Sequence, residues 1–436
     1  MIARIAALIG LVALPFTALP SMAEVAIQEI KSEGGLTAWL VEAPEIPFVA
    51  LEIRFRGGAT VDRPGKEGSV SLMTGLLEEG TGDLDAQGFA AQRDRLAAGF
   101  GFASGMETVS VSARFLSENK DEALDLLRRA ITEPSFSEDA IKRVKAQMIA
   151  GLRADAQDPE VRAGQLFNKV TFGSHPYARP VDGTEASILA LSKEDLQAAH
   201  KAAMARDRVY VAAVGDITAA ELGPILDKLL GDLPATGAPL AQKATIGLKG
   251  QTVVETFPGT QSVIIFGHEG IDRKDPNFYN AFVLSEIFGG GRFGTRLMTE
   301  VREKRGLTYG IGAGLSQMDN ANLLMGSVKT ANGTVKETID VIRAEWAKVG
   351  KITQKELDDA KTYLTGAYPL RWDGNASIAR QIVGLMMDGY PIDYPQKRNA
   401  LIEAVTLEDV WATAETLFNP KKLSFVVVGE PVGLEQ

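Results

Sequence analysis

The stretch GSVSLMTGLLEEGT, residues 68–81, places Ser71, Thr74 and Gly75 at i, i+3 and i+4. On a helix these positions share one face, which could hold a metal site. Here the face carries two hydroxyls and a position with no side chain. The histidines offer no replacement, because there are three in the chain, His175, His200 and His268. His175 precedes Pro176 in a turn and suits structural hydrogen bonding. His200 falls in a helix beside Ala198, Ala199 and Lys201, as a surface or partly buried side chain. His268 follows a strand over Val263 to Phe266 and has no second histidine at metal-ligand spacing. There are no cysteines, which excludes a disulfide framework, a thiolate nucleophile and a thiolate zinc site. The run Phe288-Gly289-Gly290-Gly291 lacks both the lysine of a phosphate loop and the G-x-G-x-x-G spacing, so it reads as a tight backbone turn.

The elements that must position these residues occur twice. SKEDLQAAHKAAMARDRVYVAAVGDI from Ser192 aligns without a gap on TLEDVWATAETLFNPKKLSFVVVGEP from Thr406, an offset of 406 − 192 = 214. Each copy has a Ser/Thr cap, a helical apolar pattern and a β-branched run ending in Gly-acid. A second pair begins at Ala123 and Thr338, with Ser137 and Thr353 as helix caps and Gly151 matching Gly366. A period above 200 residues means duplicated domains. In the first half, Leu36 to Val41 and Phe48 to Phe55 read as antiparallel strands and Lys66 to Glu79 as a helix. Ala86 to Ala98 reads as a helix with Phe89, Leu96 and Ala97 inward. Glu107 to Phe115 alternates as a half-buried strand, and Lys120 to Ile131 is helical. Strands and helices without regular βαβ alternation imply an α+β class with two homologous α/β sandwich domains.

Proline, glycine and alanine crowd Leu233 to Lys249, placing a linker at 236–249 between domains at 24–235 and 250–436. Residues 1–23 read as a signal peptide: Arg4 supplies a positive start, Ile5 to Pro20 is almost wholly apolar, and Ser21-Met22-Ala23 has the small-x-small cleavage pattern. Export, and a periplasmic location in a Gram-negative cell, are the expectations. With 436 residues, 45% hydrophobic and 23% charged, the chain is that of an ordinary globular protein. A net charge of −10 gives no basic surface for nucleic acid or anionic lipid. No apolar run after residue 23 is long enough to span a bilayer.

Four stretches together resemble the pitrilysin/insulinase family of zinc peptidases, which includes mitochondrial processing peptidase. They are RGGATVDRPGKEGSVSLMTGLLEEGT, AGFGFASGMETVSVSARF, HPYARPVDGT at His175 to Thr184, and FGGGRFGTRLMTEVREKRGLTYGIGA at Phe288 to Ala313. The resemblance covers nearly all of the chain after residue 23 and implies the duplicated, metallohydrolase-like fold of the processing peptidase type. The family carries an inverted H-x-x-E-H motif and a distal Glu that hold zinc, with the motif Glu as general base. Carried over by position, the two histidines become Ser71 and Gly75, the base becomes Thr74, and the distal Glu falls at or beside Gly151. These are degenerate metal-site positions, and no cofactor is expected in this chain. The resemblance also implies that Arg302, with Tyr309 seven residues later, matches the family's substrate-binding and transition-state-stabilising pair.

A chain without the metal set but with the Arg/Tyr pair matches the family's non-catalytic small subunits. The expectation is a subunit of a heterodimeric, exported zinc metallopeptidase, lending Arg302 and Tyr309 in trans to an H-x-x-E-H partner that holds the zinc. Peptides are the expected substrates, with no catalytic residue complete in this chain alone. The alternative is a peptide-binding or scaffold protein with the same fold and no catalytic role, using an exposed edge strand at Ala103 to Val111.

Overall fold

The computed structural model describes residues 26–434. The export signal expected at residues 1–23 lies outside them. The first half contains strands β1 (Gln28–Lys31), β2 (Thr37–Glu42) and β3 (Phe48–Arg56), then helix α1 (Ser69–Gly75) and the short pair β4 (Gly80–Thr81) and β5 (Leu84–Asp85). It continues through α2 (Ala86–Arg95), β6 (Gly99–Ser104), β7 (Thr108–Leu116), α3 (Lys120–Thr132), α4 (Glu138–Asp155) and α5 (Pro159–Phe172). It closes with α6 (Glu185–Ala190), α7 (Lys193–Ala203), β8 (Val209–Gly215) and α8 (Ala219–Leu230). The second half contains β9 (Thr252–Thr256), β10 (Gln261–Glu269), α9 (Phe278–Gly289), β11 (Ile311–Gln317), β12 (Asn322–Ala331) and α10 (Val335–Ala347). After these come α11 (Gln354–Ala367), α12 (Asn375–Met387), α13 (Tyr394–Glu403), α14 (Leu407–Leu417) and β13 (Ser424–Gly429).

Two mixed sheets result, in the orders β1-β2-β8-β3-β7-β6 and β11-β12-β10-β13-β9. Removing β1 leaves two sheets of the same order, each with one parallel pair, β2 with β8 and β9 with β13. The repeat seen in sequence is therefore a repeat of topology, and the class is α+β. Gly215 and Gly429, 214 residues apart, end equivalent strands with φ +130° and +154°. A Cβ at either would lie 2.2 Å from the Phe48 carbonyl or 2.3 Å from the Ser262 hydroxyl, so both positions need glycine. Ser137 and Thr353 cap α4 and α11, and Ser192 and Thr406 close capping boxes on α7 and α14, as expected.

Three details differ from the sequence reading. β2 and β3 run antiparallel but do not pair, because β8 returns from far along the chain and inserts between them. The helix expected over Lys66 to Glu79 is shorter, Ser69–Gly75. Ala97 is exposed with φ +48°, because α2 ends at Arg95 and the chain turns there; Phe89 and Leu96 are buried as expected.

Each sheet is covered on one face by the helices of its own half and on the other by a helix from the opposite half. Ala163, Phe167 and Phe172 of α5 pack against Val263, Ile265, Val426 and Val428 of the second sheet. Ala379, Ile382 and Val383 of α12 pack against Trp39, Val41, Ala50, Ala212 and Val214 of the first. This exchange ties the halves together through apolar burial. A polar junction supports it where the β6–β7 and β11–β12 turns meet. There the Tyr177 hydroxyl donates to Glu107, Glu107 accepts the Asp319 amide at 2.8 Å, and Arg56 pairs with Asp319. Burial pushes the Glu107 carboxyl up, partly offset by the Tyr177 hydrogen bond.

Candidate functional site: a slot between α1 and α4

Helix α1 has no side-chain cap of its own, since its N-cap is Gly68 in a left-handed conformation. Asp62 does the capping from the preceding loop: its carboxylate accepts from the Gly68 and Val70 amides at 2.8 and 2.9 Å and from the Ser69 hydroxyl at 2.6 Å. Burial raises the Asp62 carboxyl above its ordinary value, and these hydrogen bonds act against that rise. Leu72, Met73, Leu76 and Leu77 then anchor the helix in the first core, each at most 1% exposed. The strap at residues 179–184 crosses the start of α1, where Arg179 donates to the Asp62 carbonyl at 3.1 Å. It delivers Asp182 to the face opposite the core, and the Ser71 hydroxyl donates to that carboxylate at 2.5 Å.

All four degenerate metal-site positions lie on one cavity of about 430 Å³: Ser71, Thr74 and Gly75 from α1, and Gly151 from α4. Phe102, Ala103 and Ser104 of β6 form another wall, with Val144, Met148 and Leu152 of α4. β6 is the outermost strand of its sheet, so the exposed edge is Gly99–Ser104. The edge expected over Ala103 to Val111 is corrected accordingly, because Val109 and Val111 belong to β7, which pairs on both sides. A second cavity of about 380 Å³ shares Leu152, Asp155 and Asp182 with the first and extends along α5.

Zinc does not fit these residues. It takes imidazole, thiolate or carboxylate donors at about 2.0–2.3 Å. The Thr74 hydroxyl is committed to the Val70 carbonyl one helical turn back, at 2.8 Å, and Ser71 is committed to Asp182. Gly75 and Gly151 offer no donor. Among the described residues no group of three or more His, Cys, Asp or Glu could hold a metal ion. A Cβ built on Gly151 meets nothing within 4 Å, and one on Gly75 meets Val144 at 3.4 Å. The missing side chains therefore leave open space.

The histidines serve structure. His175 accepts the Tyr177 amide at Nδ1 and donates from Nε2 to the Gln242 carbonyl at 2.8 Å. His200 differs from expectation: it is 8% exposed, and Nε2 donates to the Ile131 carbonyl at 2.7 Å, because its face of α7 turns toward α3. His268 lies inside β10, which runs three residues further than expected, to Glu269. Its Nδ1 donates to the Glu269 carbonyl at 2.7 Å, and its Nε2 accepts the Trp346 indole N–H at 3.2 Å. Burial holds both His200 and His268 below the ordinary imidazole value.

Arg302 and Tyr309 lie in the second half, and neither lines the slot. Arg302 sits in a π-helical turn, Met298–Glu303. Among the described residues its side chain has no ion-pair or hydrogen-bond partner; the guanidinium stands over the Phe293 ring, 4.5 Å from the centroid. Phe293 belongs to the glycine-rich turn and is itself 65% exposed. Tyr309 is 91% exposed and precedes β11. Sequence reasoning singled out neither Phe293 nor the carboxylates of Asp155 and Asp182, although Phe293 and Asp182 lie within stretches it quoted.

A duplicated α+β fold of the zinc-peptidase type, with its metal positions emptied, defines a non-catalytic peptidase-like protein. The comparisons with known proteins agree. A family profile described as "Peptidase M16 inactive domain" matches residues 190–364. The crystal structure of a peptidase M16 inactive domain from Pseudomonas fluorescens is 31% identical with a TM-score of 0.87, covering 94% of this chain and 100% of that one. A "Non-peptidase homolog YmxG" from Helicobacter pylori is 26% identical over 88% of this chain and 89% of its own length. A chain of Complex III2 from Candida albicans, at 16% identity, shares the fold with a TM-score of 0.75 over 94% of this chain and 98% of its own length. The chain belongs to the pitrilysin/insulinase-type M16 peptidase family, as a member that lacks the metal-binding residues.

Proposed function

We propose that this protein is the non-catalytic subunit of a heterodimeric, exported zinc metallopeptidase acting on peptides. It lends Arg302 and Tyr309 to a homologous partner whose H-x-x-E-H motif supplies the metal and the base, and it works in the periplasm. The observation that carries this reading is the disposition of the pair. Arg302 has no carboxylate partner among the described residues and Tyr309 is 91% exposed, so both donors are available to a second chain. A guanidinium and a phenol are suited to hold a peptide carbonyl and its developing oxyanion. The test is reconstitution. The purified chain should hydrolyse no peptide alone, and activity should appear when an H-x-x-E-H partner is added. Arg302→Ala or Tyr309→Phe should then lower turnover by about ten- to a thousand-fold, the scale of losing one oxyanion donor. Full activity in the double variant would refute the in-trans role. The likeness to a Complex III2 chain favours a second reading, a scaffold that needs no catalytic partner; that reading expects Tyr309→Phe to change nothing.

A further inference from the structure

We infer that Phe293 is a positioning residue for Arg302: its ring holds the guanidinium in place while leaving the charge and the N–H donors free to act in the partner's site. The inference rests on the in-trans role proposed above and deepens it, by naming what keeps Arg302 ordered before a partner is present. Charge pairing singles Arg302 out. Five cationic side chains lie between Phe288 and Gly310. Four of them have a carboxylate: Arg292 pairs with Glu286 at 2.8 Å and Arg296 with Glu356 at 2.6 Å, while Lys304 and Arg305 share Glu300 at 2.5 and 2.8 Å. Arg302 is the fifth, and among the described residues it has a ring where the others have an anion, with 4.5 Å from the guanidinium carbon to the Phe293 centroid. The difference is chemical. A carboxylate occupies guanidinium N–H groups and cancels the charge. The face of a neutral ring attracts the cation through its quadrupole and leaves both available.

Phe293 can hold Arg302 because its turn is anchored on both sides. Arg292 reaches from Glu286 of α9 to the ring of Tyr363 on α11, 4.8 Å from its centroid. These two helices stand in the second sheet where α1 and α4 stand in the first, with α9 against β11 as α1 is against β6. On the other side, Thr295 is buried and its hydroxyl donates to the Arg292 carbonyl at 3.0 Å. The Phe293 ring is itself 65% exposed, so core packing does not account for an aromatic residue at this position. Arg302 comes from an equally fixed turn: Met298 and Val301 are buried, and the Lys304 amide donates to the Thr299 carbonyl, five residues back, at 3.0 Å. What is left to order is the long Arg302 side chain. Ordering it in advance removes that entropy loss from the step in which it meets the substrate.

The experiment uses the purified chain with its H-x-x-E-H partner and an internally quenched fluorogenic peptide that the pair cleaves. Phe293→Leu should lower kcat/KM by about two- to five-fold, the scale of one exposed cation–ring contact, at an unchanged Tm. Phe293→Trp should keep the parent's rate, since its ring offers the same face. Phe293→Glu should do worse than Phe293→Leu, because a carboxylate there holds Arg302 but occupies its donors. In an Arg302→Ala background, Phe293→Leu should have no further effect. A second readout needs no partner: the NMR signals of the Arg302 side chain, assigned through Arg302→Lys, should be shifted upfield by the ring current and return in Phe293→Leu. Parent-like turnover of Phe293→Leu, a loss that persists without Arg302, or rescue by Phe293→Glu would each overturn the inference. Full turnover of Arg302→Ala would refute the in-trans role itself; the free-chain spectrum then still reads the contact, and unshifted Arg302 signals would overturn it as well.

Discussion

Rebuilding the ligand set should turn the slot into a metal site. The variant Ser71→His, Thr74→Glu, Gly75→His, Gly151→Glu restores the pattern from which this chain departs. Its cost can be worked from the structure. Ser71→His gives up the hydrogen bond to Asp182, worth about 1 kcal/mol. Gly151 sits inside the 18-residue helix α4, where a Cβ meets nothing within 4 Å, so replacing it with a helix-forming residue returns about 0.5–1 kcal/mol. Gly75, at the end of α1, can also accept a Cβ, since its nearest neighbour is a Val144 methyl at 3.4 Å. Thr74 is 2% exposed, and a carboxylate there must turn toward the cavity, so the triple variant without Thr74→Glu serves as the conservative form. The metal-free variants should thus melt close to the parent. With zinc at a hundred times its dissociation constant, native-state binding adds about 2.7 kcal/mol, a rise in Tm of several degrees that the parent chain does not show. Calorimetric melting with and without zinc, with equilibrium dialysis for stoichiometry, reads both. Folded variants that bind no zinc at millimolar concentration would refute the placement of these four positions around one site.

Lowering the pH should destabilise the protein through its buried imidazoles. His200 and His268 titrate below the ordinary value when folded, so the unfolded chain takes up protons first as pH falls below about 6.5. Stability present above that pH should be lost through the window beneath it, by up to about 1.4 kcal/mol per pH unit per histidine. Denaturant melts from pH 7.5 to 5.0 should flatten in the double variant His200→Gln, His268→Gln, and an unchanged slope would place the sensitivity elsewhere. Phe167→Ala removes a fully buried ring that α5 of the first half presents to the second sheet, and should cost about 3–5 kcal/mol. Hydrogen exchange should show faster opening of β10 and β13 in the second half, although the substitution is in the first; unchanged protection there would contradict the helix exchange.

The legible parts of the fold were those encoded locally. Ser137, Ser192, Thr353 and Thr406 announce helix starts because a cap needs a short side-chain oxygen that accepts from the amides two or three residues on. The alternation of Glu107 to Phe115 survives as buried and less buried faces of β7. Long-range choices left no such mark. Nothing between Thr37 and Arg56 says that β8, more than 150 residues later, will separate β2 from β3, since strand order depends on pairings remote in sequence. The apolar faces of α5 and α12 do not say which sheet they cover. His200 was placed too near the surface because its neighbours in sequence are small or charged, whereas its burial comes from α3 and Phe136 across the core. At the slot, the emptied positions could be read by alignment to a motif. Asp155 and Asp182 could not, because they reach the cavity from two separate segments and carry no shared spacing.

The two halves share topology yet have diverged at the same place. The position between α9 and α11 is closed by Arg292, Glu286 and Tyr363, and the π-helical turn further along the chain sets Arg302 over the exposed Phe293 ring of the glycine-rich turn. The position between α1 and α4 has lost the groups that would bind a metal, while Asp62 and the strap carrying Asp182 still hold α1 in place. Such chemistry can be removed without cost to the fold because the scaffold does not use it: Leu72, Met73, Leu76 and Leu77 bear on the core, whereas Ser71, Gly75 and Gly151 face the cavity. Stability and reactivity lie on opposite faces of one seven-residue helix. Substitutions on the cavity face should therefore alter binding at small cost in stability, while Leu72→Ala on the other face should cost about 2–5 kcal/mol, measurable by denaturant unfolding. A large stability loss from Gly151→Leu, comparable to that of Leu72→Ala, would show that the two faces are not separable in this way.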